Sequence, residues 1–124
     1  MADWFSSTEY EIATRVSSVF ENLGWEVERE KAVEYKGVHF RFDMVLNYNG
    51  KSYGYVEVVN RDNLVDKSKT IFEVLGTFLQ ETKPLIFVFT NGSAFEVYHL
   101  GKCYGTLTVP PSPEDVNFLF GGEE

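Results

Sequence analysis

The sequence predicts an α/β chain, on the α+β border, with helices packed on a mixed sheet in the order α-β-β-β-α-β-β-β. Three observations lead there. Two stretches carry apolar residues at helical spacing, and strand-like alternation fills the segments between them. Asn-Gly and other glycine pairs punctuate those segments at hairpin spacing. "PLIFVFT" is a continuous apolar run, the mark of a strand covered on both faces. At 124 residues, 44% hydrophobic and 16% aromatic, the chain suits one folded domain, expected over 1–109, followed by a Pro-rich tail over 110–124.

The first helix is signalled by a Thr8–Glu11 capping box and by the stop Asn22-Leu23-Gly24. Ala13, Val16, Phe20 and Leu23 form its apolar stripe, edged by Ile12 and Val19. Glu9 falls four residues before Ala13 on that stripe, whereas Glu11 shares the opposite face with Arg15, Ser18 and Asn22. In "WEVEREKAVEY", Trp25 and Val27 alternate against Glu26 and Glu28, as a strand requires. A Lys36-Gly37 turn leads into "RFDMVLNYNGKSYGYVEVV", a hairpin around Asn49-Gly50. Beyond the polar "NRDNLVD", a second helix over 67–82 buries Ile71, Val74, Leu75, Phe78 and Leu79. "PLIFVFT", an Asn91-Gly92 turn, "AFEVYHL", a Gly101-Lys102 turn and "YGTLTV" complete a meander. In the tail, Ser112-Pro113-Glu114 opens a short helix, and Phe118, Leu119 and Phe120 either dock on the domain or touch a partner.

The charge restricts the partners. Eleven Lys and Arg against 19 acids give −8, which argues against a dedicated nucleic-acid coat, because phosphate neutralisation needs cations. DNA contact is expected to be weak and confined to a local cleft, alongside a protein partner or homo-oligomer. "MADWFSSTEYE" has no secretory character and no run reaches a membrane span, so the expected address is cytoplasmic, with no membrane contact. "NGS" at 91–93 then reads as a turn. The one cysteine, Cys103, reads as a small buried strand residue, and His39 and His99 lack zinc-ligand spacing.

Two acids interrupt the apolar hairpin. Glu57 in "YVEVV" is flanked by apolar residues, where a lone carboxylate is costly unless paired, hydrogen-bonded or on a metal. Asp43 stands near Arg41, which offers it a local ion pair. Whether the acids meet depends on register. A two-residue Asn49-Gly50 turn sets Asp43 opposite Val56, with the acids on opposite faces. A three-residue Tyr48-Asn49-Gly50 loop sets Asp43 opposite Tyr55, diagonal to Glu57 on one face, which is the loop a metal site is expected to need.

The layout of helix Glu, strand Asp and strand Glu, followed by helix and strand, resembles the PD-(D/E)XK, or restriction-endonuclease-like, superfamily, in which that strand Glu belongs to a Glu-x-Lys triplet. "RFDMVL" followed by "NGK", "YVEVV" and "FVFTNGSAFEVYHL" are similar to the N-terminal nuclease domain of type I restriction enzyme R subunits and related small proteins. The resemblance spans about residues 8–100 and implies a three-layer fold with a mixed central sheet. It implies Glu9, Asp43 and Glu57 as catalytic acids, with Asp43 and Glu57 holding Mg²⁺ or Mn²⁺ where the site is competent. Val59 occupies the lysine position, and "EVLGTF" lacks the Gln that relatives carry. Lys67 shares a stripe with Ile71, Val74 and Phe78 and is the candidate replacement; its other reading is a solvated residue at a helix start. Glu9 likewise reads either as a ligand or as a first-turn acid on the helix dipole. The expected function is a nuclease-fold protein with a degenerate active site, acting as an interaction or regulatory subunit in DNA processing. The alternatives are an active Mg²⁺-dependent DNA endonuclease using Glu9, Asp43, Glu57 and Lys67, and an unrelated mixed-sheet binding module whose acids are incidental.

Overall fold

The stop at Asn22-Leu23-Gly24 closes the first helix in a computed structural model of the protein, which describes residues 2–35, 37–59 and 84–121, the side chains of 2–9, 35 and 38–40 excepted. Helix α1 spans Ala2–Asn22. Gly24, at φ 112°, lets Trp25 N–H reach Phe20 O (3.2 Å) and Gly24 N–H reach Glu21 O (3.0 Å), the paired bonds of a Schellman cap. The start differs from expectation: the helix begins at Ala2, upstream of the Thr8 cap. No proline or glycine interrupts residues 2–7, and a threonine caps only where the backbone leaves the helix. Ile12, Ala13, Val16 and Phe20 are buried, as the stripe requires.

Among the described residues six strands form one sheet in chain order: β1 (Glu26–Tyr35), β2 (Val38–Tyr48), β3 (Lys51–Val58), β4 (Ile86–Thr90), β5 (Phe95–His99) and β6 (Lys102–Leu107). Helix α2 (Pro113–Leu119) follows. The β3–β4 pair is parallel and the other neighbours antiparallel, so this α/β sheet is mixed. The helix expected over 67–82, with Lys67 at its start, lies outside the described residues. Two-residue turns with positive φ at both positions join β2 to β3 (Asn49 53°, Gly50 76°) and β5 to β6 (Leu100 51°, Gly101 87°). The second was expected at Gly101-Lys102; instead Lys102 already pairs with His99 in the ladder.

The sheet's two faces hold different cores. On one, Val16 and Phe20 of α1 meet Met44, Val56, Ile86 and Val88, joined by Val116 of α2. On the other, Phe42, Phe87, Phe89 and Tyr98 surround Val59, with Tyr55 stacked on Phe42 at 4.2 Å. All five β4 positions are buried, matching the apolar run. Ser112 caps α2 by accepting from Asp115 N–H (3.1 Å), and the Asp115 carboxylate accepts from Ser112 N–H (3.2 Å). The tail residues divide: Phe120 stacks on His99 at 4.1 Å, while Phe118 and Leu119 are exposed. Among the described residues no helix is long and apolar enough to cross a membrane.

Candidate functional site

Tyr48 pairs with Lys51 and Asn47 with Ser52, so the β2–β3 turn is the two-residue one. Carried to the strand ends, that register would put Asp43 and Glu57 on opposite faces. It does not persist. The ladder shifts between Asn47 and Leu46, where Leu46 pairs with Gly54 and Tyr53 becomes an extra residue in β3. Met44 then pairs with Val56, and one further step brings Asp43 level with Glu57. The three-residue loop expected for such a juxtaposition is therefore unnecessary, because a bulge inside β3 supplies the shift.

At this level β2 and β3 part. Met44–Val56 is their last pair, while β3 continues along β4 through Glu57–Phe89 and Val58–Thr90. Side chains bridge the fork: Val58 N–H donates to Asp43 Oδ2 at 2.7 Å, and Asp43 N–H donates to Glu57 Oε1 at 3.2 Å. Both acids are half-buried. Arg41 does not form the expected pair with Asp43; it lies 3.7 Å from the Glu30 carboxylate, with both side chains well exposed. That contact contributes little, because water screens it.

Val59 continues the line of β3, its N–H donating to Thr90 O at 2.8 Å. Its side chain is fully buried in the aromatic cluster. The position that the resemblance assigns to a lysine is thus an apolar packing site.

Glu9 lies about two turns inside α1, which begins at Ala2, so it is not the first-turn acid on the helix dipole that one reading expected. Ile12 packs near Gly92, where an added Cβ would stand 3.3 Å from Ile12 Cγ2, so that part of the helix sits by the loop after β4. Trp25, just past the other helix end, contacts Tyr48 and Tyr53 beside the Asn49-Gly50 turn. The stretch of α1 around Ile12 therefore shares the sheet end where Glu57 stands. The helix covers the face of Val56 and Val58, however, and Glu57 alternates away from it. The side chain of Glu9, like all of Lys67, lies outside the described residues.

Sequence reasoning passed over Glu96. It pairs with Phe89, which pairs with Glu57, so it shares the Glu57 face two strands away. It is 8% exposed, and its Oε1 has no hydrogen-bond partner. The signal was available: "AFEVYHL" holds an acid between apolar neighbours, as "YVEVV" does. Cys103, expected to be buried, is exposed, because β6 is an edge strand. Partial desolvation, and then the Glu96 charge, push its thiol pKa above the usual range; a backbone hydrogen bond at Gly105 works the other way.

Among the described residues no three His, Cys, Asp or Glu side chains gather as a metal-holding group. Asp43 and Glu57 supply hard carboxylate oxygens, one on each already accepting a backbone N–H. Carboxylate oxygens are the donor type that Mg²⁺ and Mn²⁺ prefer, so these two side chains are the ones here with the chemistry to hold such an ion.

No family model matches the chain, and no curated protein matches it in sequence. Among solved structures, a cryo-EM structure of a DrdV–DNA complex is similar, with a TM-score of 0.54 and 17% identity over 73% of this chain. The match spans 9% of that protein's chain. At this identity the likeness concerns the fold: a mixed six-stranded α/β sheet consistent with a restriction-endonuclease-like architecture.

Proposed function

We propose that the chain is a nuclease-fold domain with a degenerate site, acting as an interaction or regulatory subunit in DNA processing. The observation that carries this reading is Val59, fully buried among Phe42, Phe87, Phe89 and Tyr98. In phosphodiester hydrolysis a cation near the acids orients water or offsets developing charge. An aliphatic side chain sealed among aromatic rings does neither. Asp43 and Glu57 keep the neighbouring placement of a metal-binding pair, and their bonds to backbone N–H groups give that pair a structural use without chemistry. A net charge of −8 weighs against tight unaided DNA binding, and the similarity to part of a DrdV–DNA complex supports a DNA-related setting.

The test is incubation of the purified chain with supercoiled and linear DNA in Mg²⁺ or Mn²⁺. The expected result is intact DNA with both the wild type and Glu57→Ala. Cleavage that Glu57→Ala abolishes would sink the proposal. It would favour the second reading, an active endonuclease, whose support is the alignment of Asp43 with Glu57 on neighbouring strands. That reading requires a cation from elsewhere, and Lys67→Ala must then abolish the same activity.

A further inference from the structure

We infer that the exposed face of α2 docks a protein segment bearing an apolar anchor ringed by Lys and Arg; this deepens, and rests on, the interaction-subunit reading above. Helix α2 has two unlike sides. Pro113 and Val116 are buried, and Phe120 just beyond them stacks on His99 (4.1 Å) and meets Tyr104 edge-on (5.1 Å). Glu114, Asp115, Phe118 and Leu119 form the other side, with Phe118 85% and Leu119 45% exposed. Residues three and four apart are neighbours on a helix surface, so Phe118 stands one turn from both acids and Leu119 one turn from Asp115.

Tyr104, 48% exposed on the edge strand β6, meets Phe120 on the docked side of α2, so Phe118 and Leu119 are left as the apolar part of the other face. Single exposed apolar residues need no explanation, but a contiguous group on an otherwise docked helix marks an interaction site. The helix itself is secured without Phe118: Trp25 Nε1–H donates to Pro111 O (3.0 Å), and Tyr53 OH donates to Asn117 Oδ1 (3.0 Å).

Charge selects the occupant. Glu114 and Asp115 rim the patch, and the chain as a whole carries −8. A second copy would set acid against acid, and an anionic lipid or nucleic-acid surface would be repelled. A segment presenting Leu or Phe among Lys and Arg satisfies both the apolar centre and the acidic rim.

The probe is a synthetic amphipathic peptide with leucines along one helical face and lysines flanking them, compared with the same peptide carrying glutamates for lysines. Fluorescence polarisation with the full chain is expected to show binding of the lysine peptide and none of the glutamate peptide. Phe118→Ser, with circular dichroism and thermal unfolding unchanged, should weaken binding by about tenfold or more. Glu114→Lys should also weaken it. Unchanged affinity in Phe118→Ser, or equal binding of both peptides, would overturn the inference. So would a dimer in sedimentation that Phe118→Ser disperses. DNA cleavage would instead remove the functional reading, because that assay reads the Asp43–Glu57 fork and not α2.

Discussion

Val58 N–H donates to Asp43 Oδ2 across 2.7 Å, a side-chain bond standing where a ladder carbonyl would be. It forms where β2 leaves β3, and Asp43 N–H closes the fork from the other side by donating to Glu57 Oε1. The acids that resemble a metal-binding pair therefore also staple two diverging strands.

Asp43→Ala leaves the largely buried Val58 N–H without its acceptor. The expected cost is about 1–3 kcal/mol of unfolding free energy, the penalty for an unmet buried donor. Asp43→Asn keeps a carbonyl oxygen in reach and should cost clearly less. Urea unfolding of both variants measures the difference, and equal losses would show that the bond contributes nothing of its own.

Gly54 holds the bulge in place. It pairs with Leu46 on one side and Ile86 on the other, and a Cβ built there would run into the Ile86 carbonyl, 2.8 Å from its carbon. The atoms in the way are backbone, so no rotamer change relieves the clash. Gly54→Ala should destabilise the protein by about 3 kcal/mol or more, at the upper end of single-substitution effects. Gly50→Ala, at a turn with nothing near the added methyl but φ at 76°, should cost about 1 kcal/mol. Thermal unfolding that ranks the two the other way would contradict the β3–β4 approach.

How far the fold was legible follows from where side chains announce their surroundings. The α1 stripe, the Asn49-Gly50 turn and the sealed β4 all follow from periodicity and glycine, which act over a few residues. The Tyr53 bulge did not, because "SYGY" alternates acceptably in either register and only the approach of β4 to Gly54 selects one. The start of α1 was misplaced because a serine- and threonine-rich stretch caps and continues a helix equally well on paper. Leu100 at positive φ went unseen because a leucine there is costly locally and is held by the hairpin around it. For the site, Glu57 stands out as an acid in an apolar strand; Glu96 shows the same pattern in "AFEVYHL", but the resemblance assigns no role to its position.

Glu96 makes its own prediction. A buried carboxylate oxygen without a partner carries a desolvation cost that an apolar side chain of similar size would not. Glu96→Leu is expected to raise stability by about 1 kcal/mol in urea unfolding; a marked loss would show that the carboxylate is satisfied. Glu96→Gln tests the charge separately. Removing it lowers the Cys103 thiol pKa, so more thiolate is present at mildly alkaline pH and iodoacetamide alkylation speeds up. The gain should be partial, because burial is the larger cause of the raised thiol pKa.

Val59→Lys separates packing from chemistry. The valine is fully buried against aromatic rings, so an ammonium there is desolvated unless it reaches Glu57, two residues back on the same side of the strand. The expected loss of stability is about 2–4 kcal/mol, as for other uncompensated buried charges. Val59→Met, longer but apolar, should cost less than about 1.5 kcal/mol. A degenerate nuclease site makes a second demand on the lysine variant. At a temperature where it remains folded, it should nick DNA in Mn²⁺ above the wild-type level, and adding Glu57→Ala should remove the gain. A folded Val59→Lys protein that binds Mn²⁺ yet leaves DNA intact would separate the fold from the nuclease chemistry, since the missing cation would then have been restored without effect.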